Sequence, residues 1–421
     1  MPKYIQRRAS VARQPVTARR HAAPVDRGYS VMQYGAEHCT FTPAMPCLEA
    51  DGAPFHEIQQ PGKQYVSKVY SNDSDALREF SNFNAIVKEA DPKSVFTVPV
   101  LGTCTARPTT AEINGTIAKP GCGSAAVSMI AAMNTSRTRS LRQLVQENAG
   151  ITLAHAVATV PLRALLLSLG IIINGIHRKF TPRNIIHGDI SPHSILYKDG
   201  RSKLTDFARM VGPQRDAKTA FAKLVTAETN TYAPPEMTLI TSPFTEYDHD
   251  AAMTKLSFVL TSGMHGSTAA DALHKYDSMV RHVQSQRADQ WEAYKLQLMH
   301  IVVKTYDVFS IGCVIMYLLH NSPFDRSLSP EELAKVQAWA QAATNYDAFH
   351  RHATLGDFAV RWQSIWPRED LLRVFRSVHA DIVVQKQEHE VSAARAVEED
   401  DLSAKMSSVG FGGRRVKHRR V

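Results

Sequence analysis

One stretch constrains this chain more than any other, Ile185 to Arg209, reading IIHGDISPHSILYKDGRSKLTDFAR. Its two aspartates, Asp189 and Asp206, stand 17 residues apart, each after an apolar run. Between them Ile195-Leu196-Tyr197 and Lys203-Leu204-Thr205 predict two short strands, joined by a turn at Lys198-Asp199-Gly200-Arg201. Such a hairpin carries both carboxylates into one site. Two carboxylates so placed suit phosphoryl transfer: one orients the nucleophile and takes its proton, and the other holds a magnesium ion that bridges the phosphates.

The run from His187 to Leu196, HGDISPHSIL, resembles the catalytic loop of eukaryotic-type protein kinases, with Asp206-Phe207-Ala208 in the place of their D-F-G. An H-G-D loop followed by an acidic metal ligand is shared by aminoglycoside and choline kinases, which act on small molecules. Two downstream segments favour the protein kinases. Thr229 to Glu236, TNTYAPPE, is similar to the close of a kinase activation segment and ends 30 residues after Asp206. Asp307 to Leu319, followed by Pro323-Phe324, resembles the buried helix that anchors the large lobe. Small-molecule kinases of the H-G-D type lack both. The resemblance implies an α+β, bilobal protein kinase-like fold, a small antiparallel-sheet lobe beside a larger, mainly helical one. The small lobe is expected over residues 31–133 and the large lobe over 134–390, with a helical insertion at about 238–304. Residues 1–30 are expected to be a disordered basic arm and 391–421 a basic tail.

The same resemblance assigns further roles. Lys68, in the strand-like Tyr65 to Tyr70, is the candidate grip on the ATP phosphates, with its carboxylate partner on a helix from Ser74 to Glu89. Glu79 suits the family register for that partner, and Glu89 lies too near the helix end. Gly35 is what survives of a glycine-rich phosphate loop. Val95 to Val98 and Ala125 to Ala132 are expected as strands, with Met129 and Ala131 at the nucleotide base, and Ser140 to Val145 as a short capped helix. Leu153 to His177 should hold the long core helix, kinked or restarted at Pro161. His187 is expected to bond backbone near Asp206, and Trp362 and Trp366 to anchor the core. Arg373 and Arg376 are the candidate partners of Glu236. The Pro and Cys at Pro46-Cys47 and the pair Asp91-Pro92 are similar to features of kinases from large DNA viruses, which suggests a viral source.

Three departures bear on activity. Ser194 stands where the second metal ligand is normally Asn, and a hydroxyl is the weaker ligand. Ser191 replaces a lysine two residues after Asp189, removing a positive charge from the migrating phosphoryl group. The glycine loop is eroded. Gly188 replaces the arginine that clamps a phosphorylated loop, so activation by loop phosphorylation is not expected. The expectation is an ATP- and Mg²⁺-dependent serine/threonine protein kinase of weakened activity, Thr229 carrying the Ser/Thr preference. A nucleotide-binding pseudokinase scaffold is the alternative, and a small-molecule kinase the third reading.

Composition sets the remaining bounds. An apolar share of 44% and a charged share of 21% are those of an ordinary globular protein. Cys39, Cys47, Cys104, Cys122 and Cys313 form no C-x-x-C pair and read as free thiols of a reducing, intracellular compartment. The longest apolar run, Ala164 to Ile173, is too short to span a bilayer, so no membrane association is expected. The net charge of +9 resides in the two tails, leaving the body nearly neutral. Beside a protein substrate, the tails could contact nucleic acid or import factors, and Arg7-Arg8-Ala9-Ser10 fits a basophilic phosphorylation site at Ser10.

Overall fold

The computed structural model describes residues 30–34, 38–45, 47, 64–70, 73–106, 141–213, 216–226, 232–234, 236–237, 274, 281, 288–345, 348–349, 351 and 357–376. It is a mixed α+β architecture, an antiparallel sheet of five strands set beside a helical region. The strands are β1 (Ser30–Tyr34), β2 (His38–Thr42), β3 (Tyr65–Tyr70), β4 (Val100–Ala106) and β5 (Leu141–Glu147), in the order β1-β2-β3-β5-β4. In β3, side-chain alternation puts Val66, Lys68 and Tyr70 on one face and Tyr65, Ser67 and Val69 on the other. The register sets Lys68 between Thr40 of β2 and Leu144 of β5, and His38 opposite Tyr70.

β5 overturns one expectation. Ser140 to Val145 was expected as a short capped helix. Instead Leu144 and Val145 are both fully buried on opposite faces of the sheet, one in the main core and one against Tyr65 and Cys104. The strand flanking β3 is therefore Leu141–Glu147. Residues 125–132, with Met129 and Ala131, lie outside the described residues, as do Gly35, both tails and Thr229. On the same outer face Cys47 is disulfide-bonded to Cys104, against the expectation of free thiols; Cys39 and Cys313 are buried and stand outside that disulfide. The pairing spans 57 residues and depends on the contact between Cys47 and the end of β4, which no local spacing announces.

Helix α1 (Asp73–Asn82) opens with acidic Asp73 and Asp75, favourable at the positive end of the helix dipole, and continues through a π-helical turn to Ala90. The Asp91 carboxylate then accepts hydrogen bonds from the amides of Val95, Phe96 and Thr97 and from the Thr97 hydroxyl. Val95 to Val98, expected as a strand, makes only an isolated parallel bridge between Thr97 and Leu204.

The central helix α2 (Leu162–Gly175) starts after Pro161, as the proline predicts, and is apolar on nearly every side, as a helix inside a core must be. A Cβ at Gly175 would lie 2.4 Å from the Phe96 ring, so the close crossing there requires glycine. A short strand β6 (Ile151–Thr152) pairs with the expected hairpin, β7 (Ile195–Lys198) and β8 (Arg201–Leu204). Asp199 and Gly200 turn it with φ of 49° and 79°, the doubly left-handed form that suits a two-residue turn.

The rest is helical. α3 (Ala217–Thr226) packs on α4 (Ala288–Asn321), and α5 (Pro330–Ala343) and α6 (Phe358–Gln363) close the core around Trp339, Trp362 and Trp366. A capping box between Ser329 and Glu332 starts α5. From Ala288 onward, residues expected in a helical insertion are the first turns of α4 itself, continuous with the Asp307 to Leu319 segment. By length and composition Glu292–Asn321 could cross a bilayer, but 78% of its most apolar window is buried against protein, as in a core helix.

Candidate functional site

The face of β3 that carries Lys68 meets α1 and the segment after β8. Lys68 Nζ lies 2.8 Å from Glu79 Oε2 and also contacts Asp206 Oδ1. Lys68 and Glu79 are buried, whereas the Asp206 side chain is 15% exposed. Glu89 takes no part. Glu79 and Asn82 are three residues apart and share one face of α1. Glu79 holds the lysine, and Asn82 Nδ2 donates to the carbonyls of Phe207 (2.8 Å) and Ala208 (3.3 Å). One helix face thereby sets both β3 and the residues after Asp206.

Asp206 itself has φ 69° and ψ 60°, a left-handed conformation that costs a non-glycine residue energy. Packing holds it there: Phe207 is fully buried between the rings of Phe83 and His187. His187 joins the two aspartates of the sequence. Its Nδ1 accepts from the Asp189 amide at 3.3 Å, and its Nε2 lies 3.0 Å from the Thr205 carbonyl. Those partners require the neutral ring protonated on Nε2, and burial agrees, pushing its pKa down to about 4. Below it, the buried Asp307 carboxylate accepts from the amides of His187 (2.8 Å) and Gly188 (3.2 Å). Gly188 has φ 78°, and a Cβ there would lie 2.7 Å from the Arg209 carbonyl oxygen. The absence of an arginine at 188 thus has a steric cause.

Three residues at the site, and one away from it, carry no signature in the sequence. Tyr70 donates its hydroxyl to the same Glu79 Oε2, and its ring lies 5.2 Å from Lys68 Nζ. His38 sits above the same ring with Nε2 3.9 Å from Asp206 Oδ1, and burial, then the Lys68 charge, holds its pKa well below the ordinary histidine value. Arg209 Nε lies 3.7 Å from Asp189 Oδ2. Arg351, not Arg373 or Arg376, pairs with Glu236 at 3.1 Å, both side chains fully buried. Arg373 instead sits 3.7 Å from Asp370. Only the strand register could have pointed to His38 and Tyr70, since both share the Lys68 face.

Ser194 does not present its hydroxyl as a ligand. Its Oγ accepts from the Ser191 amide (2.8 Å) and lies 2.8 Å from the Asp189 carbonyl, inside the loop. Among the described residues no group of three or more His, Cys, Asp or Glu side chains could hold a metal by itself. Asp206 nevertheless fits Mg²⁺, which is held by one or two carboxylates together with substrate phosphates. The cluster of one lysine and two carboxylates also carries a surplus negative charge. A cavity of about 270 Å³ lined by Pro99, Glu147, Asn148, Lys198, Arg201 and Lys203 contains none of these residues. No protein-family model matches the chain, and no curated protein is a significant match to it.

Proposed function

We propose that this chain is an ATP- and Mg²⁺-dependent protein kinase of the bilobal type, transferring the γ-phosphoryl group to serine or threonine hydroxyls. One observation carries the reading: the buried Lys68–Glu79 pair meets Asp206, and a single imidazole ties the backbone beside Asp206 to the backbone beside Asp189. The buried Glu236–Arg351 pair favours a protein over a small-molecule acceptor, because it holds Glu236, the last residue of a sequence motif that small-molecule kinases lack.

In this reading Lys68, oriented by Glu79, holds the α- and β-phosphates, and Asp206 holds Mg²⁺, which would neutralise charge on the β- and γ-phosphate oxygens. Asp189 orients the acceptor hydroxyl and receives its proton. The base-binding role expected of Met129 and Ala131 passes to the end of β5 and the link after it: Gln146 lies opposite Val66, on the Lys68 face, and Glu147 to Ala149 lead toward the helical region. With the Ser194 hydroxyl turned into its own loop, one metal ligand is missing, and weak turnover follows. That same hydroxyl favours the second reading, a nucleotide-binding scaffold without transfer.

Purified chain with radiolabelled ATP, Mg²⁺ and basic or acidic acceptor proteins tests this. Transfer should fall by about 100-fold or more in Asp189→Asn, the scale of losing one preorganised transition-state contact. A thermal shift with Mg-ATP should appear in the wild type and vanish in Asp206→Ala. A shift without transfer leaves the scaffold; no shift at all sinks both readings; label on sugars or aminoglycosides but not on protein reverses the choice of acceptor.

A further inference from the structure

The lysine absent at position 191 leaves a question of charge. Ser191 is neutral, and its hydroxyl is engaged by the amides of His193 (3.2 Å) and Ser194 (3.3 Å). Yet the structure does set a cation at Asp189, from another part of the chain. Arg209 ends the short turn Phe207–Arg209 that follows Asp206, and its Nε lies 3.7 Å from Asp189 Oδ2. Neither side chain is sealed off: Arg209 is 19% and Asp189 29% exposed.

The backbone fixes this meeting. Ile186 and Val211 exchange two hydrogen bonds, at 3.1 and 2.9 Å, so the two segments run side by side just beyond the pair. The Arg209 carbonyl also lies so close to Gly188 that no side chain fits there. Glycine at 188 therefore permits the approach that brings residue 209 to Asp189. Two departures, Gly188 for arginine and Ser191 for lysine, have one structural counterpart in Arg209.

We propose that Arg209 supplies the positive charge at the transferring phosphoryl group that a lysine at 191 would otherwise supply. The inference rests on the kinase reading above. In the transfer the acceptor oxygen forms a bond to the γ-phosphorus as the bond to the β,γ-bridging oxygen breaks. The acceptor proton passes to Asp189, and ADP departs with the bridging oxygen. In the loose transition state negative charge spreads over the three non-bridging oxygens. A guanidinium carries five donors in a fixed fork, so it can hold a carboxylate along one edge and a phosphoryl oxygen along another. Arg209 then does two things: it orients Asp189, and it stabilises the charge that develops beside it.

The full chain is assayed with Mg-ATP and a basic acceptor protein, as wild type, Arg209→Gln, Arg209→Lys, Ser191→Lys/Arg209→Gln and Asp189→Asn, with the Mg-ATP thermal shift as the measure of folding and nucleotide binding. Arg209→Gln should lower kcat about 100-fold while leaving KM for ATP within about twofold, because the charge acts in the transition state. Adding Ser191→Lys to that variant should restore kcat to within about tenfold of wild type, since a cation returns from the ordinary position. Arg209→Lys should fall between the two. Unchanged kcat in Arg209→Gln overturns the inference while Asp189-dependent transfer in the wild type leaves the kinase reading standing. A loss that neither lysine relieves, with the thermal shift intact, makes Arg209 a purely structural residue and also overturns it. Wild-type chain without Asp189-dependent transfer overturns both.

Discussion

Two buried ion pairs in this molecule are built to opposite specifications. Arg351 and Glu236 are both fully buried, one cation to one anion. Arg351 is further held by the Asn345 carbonyl (2.6 Å), the Thr305 hydroxyl (3.2 Å) and the face of Phe309, 5.1 Å away. Lys68 instead faces two carboxylates, one of them partly open to solvent, with His38 Nε2 close by but making no hydrogen bond. A sealed, balanced pair holds chain segments in place through its Nη donors, even though Arg351 Nε is itself buried without a hydrogen-bond partner. An open pair with surplus negative charge leaves one carboxylate, Asp206, facing solvent, as the proposed metal-binding role would need. Burial alone does not distinguish the two; charge balance and access do.

Removing one partner from each is the strongest way to break that comparison. Arg351→Met leaves the Glu236 carboxylate buried without a counter-charge and should cost roughly 3–5 kcal/mol of stability, read from urea denaturation. The double variant Arg351→Met/Glu236→Leu should recover most of the loss, because replacing both charges with apolar side chains removes the unpaired one. Lys68→Met also strands the buried Glu79 carboxylate, but Glu79 keeps the Tyr70 hydroxyl as a donor and Asp206 can turn its charge to solvent, so it should cost less, yet it should abolish the Mg-ATP thermal shift. Equal destabilisation at the two sites would show that the distinction between sealed and open is wrong.

How far each site could be read in the sequence follows from the range of its contacts. The β7–β8 hairpin was legible because Asp199-Gly200 is a local turn signal between two apolar runs. The restart of α2 at Pro161 was legible because a proline acts on its own backbone. Glu79 was placed by register from Lys68, 11 residues away on the next element. Beyond that range the signals fail for physical reasons. Glu236 and Arg351 are 115 residues apart, and nothing near Arg351 marks it out from Arg373 or Arg376. β5 was misread because three apolar residues at 141, 144 and 145 fit a helix face as well as the two faces of a strand. Arg209 was passed over because its meaning depends on the turn after Asp206 folding back on Gly188.

A pH titration sharpens the comparison, because Asp307 and His187 link the two regions. Asp307 is two residues along α4 from Thr305, an Arg351 partner, and its carboxylate holds the His187 and Gly188 amides beside Asp189. Burial pushes Asp307 up to about 6. Between about pH 4 and 6 the folded chain keeps that proton and the unfolded chain has lost it, so stability from this group falls as pH rises. His187, pushed down to about 4 by burial, acts in reverse: the unfolded chain takes up the proton first as pH drops below about 6.5, so stability rises with pH. Each slope reaches at most about 1.4 kcal/mol per pH unit, and the two oppose each other. Wild-type urea midpoints should therefore vary little from these groups between pH 4.5 and 6. Asp307→Asn should unmask a midpoint that rises with pH, and His187→Gln one that falls. A wild-type slope as steep as either variant's would mean that the two groups do not titrate as an opposed pair.

The smallest effects test the comparison at the level of one hydroxyl in each region. Tyr70 donates to Glu79 on the open side, and Thr305 lies 3.2 Å from Arg351 Nη2 on the sealed side. Either hydroxyl should contribute about 1 kcal/mol to stability, so Tyr70→Phe and Thr305→Val should shift the urea midpoint by similar amounts. Their effect on nucleotide should differ. Without the Tyr70 hydroxyl, Glu79 Oε2 keeps only the lysine as a donor and draws Lys68 away from the phosphates, so KM for ATP should rise about fivefold. Thr305→Val should leave KM unchanged, because Arg351 keeps Glu236, the Asn345 carbonyl and the Phe309 face. If both variants raised KM alike, the sealed pair would be part of the nucleotide site's energetics, and charge balance would no longer separate a structural pair from a functional one.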